Sequence, residues 1–213
     1  MEKLLHAIFL KSPANLWDAF EAECRTFYSA PAHSFTDLRN RDNKKIRGDI
    51  FEDFCILYLK TLKSYDNVWL LKEVPDEVLT RLAMKRQDFG IDIVAEKDGK
   101  YTAIQCKYKK QIKVQSVSWK SLSTFYALCL RTGPWEQYIV MTNCNSVRHM
   151  GRKTHKDLSI CLGTLQGITK EQWTLLCKLD EHTLEGEKPK TAEELRQARL
   201  KFFDKTDILG NTQ

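Results

Sequence analysis

Apolar residues recur at helical spacing early in the chain. Leu16, Phe20, Cys24 and Phe27 share one face of a helix expected over residues 15–28. Residues 36–47 are polar and basic and read as a loop. From about Asp49 to Lys63 the helical spacing returns: Phe51, Phe54, Cys55, Tyr58, Leu59 and Leu62 follow the i, i+3, i+4, i+7 rule of an amphipathic helix. The period then changes. Val68 to Val74 is a short apolar run of strand type. Gly90 to Glu96 and Tyr101 to Tyr108 flank Asp98-Gly99, a dipeptide that favours a two-residue hairpin turn. Residues 114–130 read as a helix, and Gln137 to Thr142 and Leu158 to Leu162 as buried strands. Thr169-Lys170-Glu171-Gln172 matches a capping box and opens a helix that includes Trp173; Thr191-Ala192-Glu193-Glu194 matches a second one. Strands interleaved with helices in this order predict an α/β sandwich around a mixed sheet.

The hairpin carries the sharpest expectation. With Asp98-Gly99 as the loop, Lys97 faces Lys100, Glu96 faces Tyr101, Val94 faces Ala103, and Asp92 faces Gln105. Opposed residues share a face, with side chains about 5 Å apart. Lys107 lies two residues past Gln105 and points the same way. One face therefore gathers Asp92, Gln105 and Lys107, while Ile91, Ile93, Ala95, Ile104 and Cys106 form a core face. A carboxylate, an amide oxygen and the Cys106 backbone carbonyl suit a hard cation. A lysine beside them suits a water next to a scissile phosphate. Glu52 stacks above Cys55 and Leu59 on its helix, so it borders the buried stripe. Taken singly, each residue has a plainer use: Glu52 as an acid near a helix N-terminus, Asp92 as a strand-end residue, Gln105 and Lys107 as a solvated face.

Composition changes the picture only a little. The chain has 213 residues, 34 Lys plus Arg against 28 Asp plus Glu, and a formal net charge of +6, which suits a polyanionic partner. Seven cysteines, an odd number and mostly within apolar runs, point to free thiols in an intracellular, reducing setting, cytoplasm or nucleus. The absence of a Cys-x-x-Cys pair argues against a zinc knuckle. The apolar run Leu4 to Leu10 is too short to span a bilayer, so no membrane partner is expected. Basic residues flank the motifs: Arg47 before the Glu52 helix, Lys109, Lys110 and Lys113 after Lys107, and Arg148, His149, Arg152 and Lys153 after the fourth strand. Such charges position a nucleic-acid backbone without reading its sequence. Trp119, Trp135 and Trp173 read as core.

Gly48-Asp-Ile-Phe-Glu52, Asp88-Phe-Gly-Ile-Asp92-Ile-Val-Ala and Ile104-Gln-Cys-Lys107-Tyr-Lys together resemble the Mrr-like branch of the PD-(D/E)xK, or restriction endonuclease-like, nuclease superfamily. They are similar to nuclease domains of large DNA viruses, some of them fused to helicases. The resemblance spans roughly residues 44–162. It implies a restriction endonuclease-like core over 44–165, with a helical extension at 1–43 and a helical region at 166–213. It also implies DNA as substrate, Mg2+ or Mn2+ as cofactor, and a homodimer. Glu52, Asp92, Gln105 and Lys107 become the catalytic set, with Asp92, Gln105, Glu52 and the Cys106 carbonyl on the metal. Arg47, Lys109, Lys110 and Arg148 become DNA contacts. Two departures stand out: Gln105 replaces the superfamily's commoner acid, as in the Mrr-like branch, and Gly90-Ile91 replaces the proline before the aspartate. No Gly-x-x-x-x-Gly-Lys-Ser/Thr phosphate loop accompanies the motifs, so no helicase engine does. The readings left open beside a DNA endonuclease are a junction-resolvase-like enzyme, a nucleic-acid-binding module without activity, and a viral interaction scaffold.

Overall fold

The computed structural model of the chain describes residues 5, 8, 16–29, 43–87, 90–109, 115–148 and 154–178, with backbone alone at 23–29 and 43–47. All lie within the unit Met1–Lys178. The second capping box, at Thr191, falls outside the described residues. Helix α1 spans Leu16–Ser29 and α2 spans Asn43–Leu62. The part of the expected loop from 43 to 47 is thus the first turn and more of a helix: apolar periodicity marks only the buried part of α2, and its polar start carries no such signal.

The main sheet has five strands in the order β1-β2-β3-β5-β7. These are β1 Asn67–Leu70, β2 Ile93–Lys97, β3 Lys100–Lys107, β5 Gln137–Thr142 and β7 Asp157–Ile160. The first three pair antiparallel; β5 and β7 join them in parallel, so the sheet is mixed, as the element order predicts. Strand β1 is shorter than the apolar run. Leu71–Glu73 turns into a 3-10 helix, and helix α3, Asp76–Arg81, follows Pro75. The stretch expected as one helix over 114–130 is instead β4 Ser116–Val117, a 3-10 turn Trp119–Ser121, and helix α4, Ser123–Arg131. Strand β4 pairs in parallel with β6, Ser146–Val147, a two-residue ladder that no periodicity announces. Helix α5 spans Leu162–Gln166 and α6 Lys170–Cys177; Thr169 and Gln172 form the expected reciprocal cap of α6.

The hairpin register is as counted from the turn: Lys97 pairs with Lys100, Glu96 with Tyr101 and Val94 with Ala103. Asp98 and Gly99 take φ of 52° and 72°, which the turn requires. Both faces of the sheet are buried. On one, Cys55 of α2 meets Cys106 of β3 by a thiol hydrogen bond. Rings tie the helices together there: Trp17 and Phe20 of α1 and Trp173 of α6 all meet Phe54. Each such ring removed from water stabilises by about 1.5–3 kcal/mol. On the other face Val94, Ala103 and Val140 pack with Leu122, Phe125, Tyr126 and Cys129. Ile91 joins this second cluster rather than the Ile93 side. It precedes the first ladder residue, so strict alternation does not apply to it.

Gly90 explains how the chain enters β2 so close to α4. Its φ is +132°, and a Cβ there would stand 3.1 Å from the Phe125 nitrogen and 3.2 Å from Leu128 Cδ1. Gly90→Ala should therefore cost about 1–3 kcal/mol, from the left-handed backbone and the close approach together. Urea denaturation measures this; an unchanged midpoint would contradict the packing described.

Candidate active site

Asp92 is fixed from both sides. Its carbonyl accepts from Leu71 N, and its N–H donates to the Ile104 carbonyl, each at 2.9 Å. Its carboxylate Oδ2 accepts from Cys106 N at 2.7 Å and from Gln105 Nε2. The same amide nitrogen lies 3.5 Å from the Cys106 carbonyl. Gln105 is buried, at 2% exposure, so its amide exchanges little with water. Burial pushes the Asp92 carboxyl up, while the Cys106 N–H, the Lys107 charge and the Gln105 amide hold it down. Asp92, Gln105 and Lys107 thus meet, as the hairpin count expects.

Lys107 ends β3, and its carbonyl accepts from Thr142 Oγ1 at 2.6 Å. Just beyond, Asn143 brackets Lys109 by accepting from its N–H at 2.8 Å and donating to its carbonyl at 2.7 Å. Asn143 Nδ2 also donates to the buried Glu21 Oε1 at 3.0 Å. The exit of the strand is clamped to β5 and α1 at once.

Glu52 comes to the same place from α2. Its carboxyl is pushed up to about 7, first by burial, then by the negative charges of Asp92, Asp49 and Asp53; Lys72 acts the other way. These groups line one open cleft of about 610 Å³, with Asp49, Glu52, Asp53, Asp92, Gln105 and Lys107 among its walls. Sequence reasoning missed four further lining residues of weight: Asp49, Asp53, Lys72 and Arg86. A signal for Lys72 exists only after β1 is paired antiparallel to β2, because that register, ending at Leu70–Ile93, carries the next residues toward Asp92.

The expected basic rim is placed differently. The Lys109 ammonium donates to the Ser116 carbonyl at 3.0 Å, so β4 and not the cleft holds it. Arg148 is exposed after β6, with its N–H on the Val117 carbonyl at 2.9 Å, and does not line the cleft. Lys110, Lys113, His149, Arg152, Lys153 and the Arg47 side chain lie outside the described residues.

Among the described residues, no three of His, Cys, Asp and Glu converge as a ready-made cage. The groups that do meet are the Asp92 and Glu52 carboxylates and the Cys106 carbonyl, hard oxygens, with the Gln105 amide nitrogen between Asp92 and that carbonyl. That set fits a cation such as Mg2+, which keeps several waters and takes one or two carboxylates. It does not fit a structural zinc site, which wants nitrogen or sulfur. The raised Glu52 carboxyl beside the Asp92 charge supports the fit, since a cation between them relieves both.

A family model for restriction endonucleases, of the Mrr catalytic type, matches residues 60–182. The chain belongs to this restriction endonuclease family. It is a family of nucleases, and the match contains Asp92, Gln105 and Lys107, while Glu52 lies upstream of it. No curated protein matches. Among solved structures, the chain is similar to a protein of unknown function, AF1548, at 23% identity and a TM-score of 0.31, over 51% of this chain and 60% of that one. Among the described residues no helix is long and apolar enough to cross a membrane.

A folded-state carboxyl raised from 4.5 to about 7 favours folding fully below pH 4.5 and loses that advantage as pH rises through about 7. Glu52→Gln cannot ionise. In EDTA, the melting temperature of Glu52→Gln relative to wild type should therefore climb from pH 4.5 to pH 8. A difference that stays flat across that range would show that Glu52 is not held in the cleft.

Proposed function

We propose that this nuclease is a divalent-metal-dependent endonuclease that hydrolyses phosphodiester bonds in DNA. The observation that carries this reading is the meeting of Asp92, Gln105 and Lys107 on one cleft with Glu52. Asp92, Glu52 and the Cys106 carbonyl would hold Mg2+ or Mn2+, and Gln105 would lend its amide oxygen. When bound, the cation supplies a Lewis acid for the phosphate and for water activation. Lys107 contributes an ammonium that orients the attacking water and offsets charge on the phosphate oxygens. Burial of Gln105 and the hydrogen bonds on Asp92 Oδ2 set both groups before substrate arrives. One cleft cuts one strand. A double-strand break calls for two copies with matching symmetry, and we read the enzyme as a homodimer. The free cysteines among the described residues support an intracellular setting.

Asp92→Ala and Lys107→Ala should each lower plasmid cleavage in Mg2+ about a hundredfold or more while circular dichroism stays native. A folded Asp92→Ala protein that still cuts near the wild-type rate would defeat the assignment.

Gln105 sets the metal affinity. Its amide nitrogen stands between Asp92 Oδ2 and the Cys106 carbonyl, doing part of the work of a cation there. A neutral amide also attracts a cation less than a carboxylate does. Gln105→Glu should bind Mn2+ about tenfold or more tightly in the absence of DNA, by calorimetric titration. Equal affinities would take Gln105 off the metal.

A further inference from the structure

We propose that Lys72 anchors a backbone phosphate flanking the one that is cut, and that Arg86 is the positioning residue that holds Lys72 in place. The inference rests on the nuclease reading and deepens it. The cleft of about 610 Å³ is in the size range that takes a ligand of several groups, not a single ion. Its α2 side is acidic, which repels a polyanion, so DNA needs cations on another wall. The rim residues expected from sequence do not supply them: Lys109 is spent on Ser116, and Arg148 stands outside the cleft.

Lys72 does line it. It directly follows Leu71, whose N–H is bonded to the Asp92 carbonyl, so it is tied to Asp92 by one peptide unit. Its side chain is 74% exposed, and its ion pair with Glu73 is a loose 3.9 Å. Exposed pairs of this kind are worth little and give way to a phosphate. Lys72 also lies near enough to Glu52 for its charge to be felt there.

Arg86 works differently. Nη1 donates to the Lys72 carbonyl at 2.8 Å, and Nη2 meets Asp76 Oδ1 at 2.5 Å. Its planar fork thereby clips the Lys72 turn to the start of α3. The guanidinium charge is partly met by Asp76, so on this wall, apart from Lys107 at the cut phosphate, the ammonium of Lys72 is the cation offered to DNA.

The test is anisotropy of a short fluorescein-labelled DNA duplex, with Ca2+ in place of Mg2+, over a salt series, paired with steady-state cleavage in Mg2+. Lys72→Ala should weaken binding about tenfold at moderate salt, alike for unrelated sequences, and flatten the log K against log salt slope by about 1. KM should rise while kcat stays within about twofold. Lys72→Arg should restore the slope. Arg86→Ala should weaken binding in the same direction, and adding it to Lys72→Ala should cost nothing further, because the two act as one unit. Lys100→Ala, remote and paired with Glu136, is the control and should change nothing. If wild type binds and cuts DNA but Lys72→Ala keeps its affinity and slope, this inference falls and the nuclease reading stands. A fall in kcat with KM and slope unchanged also overturns it. Wild type that neither binds nor cuts DNA sinks both.

Discussion

The candidate site depends on a half-buried carboxylate, Asp92, held by the backbone of the strand beside it. The Cys106 N–H reaches it at 2.7 Å, and peptide groups of Leu71 and Ile104 pin its own main chain. A carboxylate in that position is costly to bury without such partners. The β2–β3 pairing that places it also places Gln105 and Lys107, because the ladder admits only one register around Asp98-Gly99. Gly90 lets the chain approach α4 closely enough to enter the ladder there. Thr142, Asn143 and Glu21 then fix the far end of β3. Fold stability and site geometry are in this sense the same set of hydrogen bonds.

The electrostatics follow from that burial. Helix α2 brings Glu52 beside Asp92, and in this poorly hydrated cleft burial and the Asp92 charge push the Glu52 carboxyl up. Beneath them the Cys55 and Cys106 thiols, buried and pushed upward, stay neutral and add no charge of their own. Negative potential is therefore concentrated where a hard cation would sit, with Lys107 and Lys72 on other parts of the lining. A polyanionic substrate and a cation would each make the other welcome in such a site.

Part of this was legible in the chain and part was not. The hairpin could be counted because a two-residue turn fixes register by arithmetic, and the Asp92, Gln105, Lys107 face came with it. The Thr169 cap was readable because it is local. The helix expected over 114–130 broke into a strand, a 3-10 turn and α4, since two-residue strands such as β4 and β6 exist only through each other. Residues 43–47 are helical without an apolar stripe to show it. Pro75 with Asp76 and Glu77 was an available signal for α3 that the apolar run around it obscured. Lys72 and Arg86 escaped because a cleft wall is a tertiary fact, whereas Lys109 looked like a rim residue until Ser116 was seen to hold it.

The central claim is that Asp92 and Glu52 share one cation with the strand that carries Gln105 and Lys107. Anomalous diffraction from crystals grown with Mn2+ at pH 8, above the Glu52 value of about 7, measures it most directly. The account predicts one anomalous peak in contact with the Asp92 and Glu52 carboxylates and the Cys106 carbonyl, and a Gln105 amide turned so that its nitrogen no longer faces Asp92. Mn2+ bound elsewhere, with Asp92 still holding only Cys106 and Gln105, would contradict it.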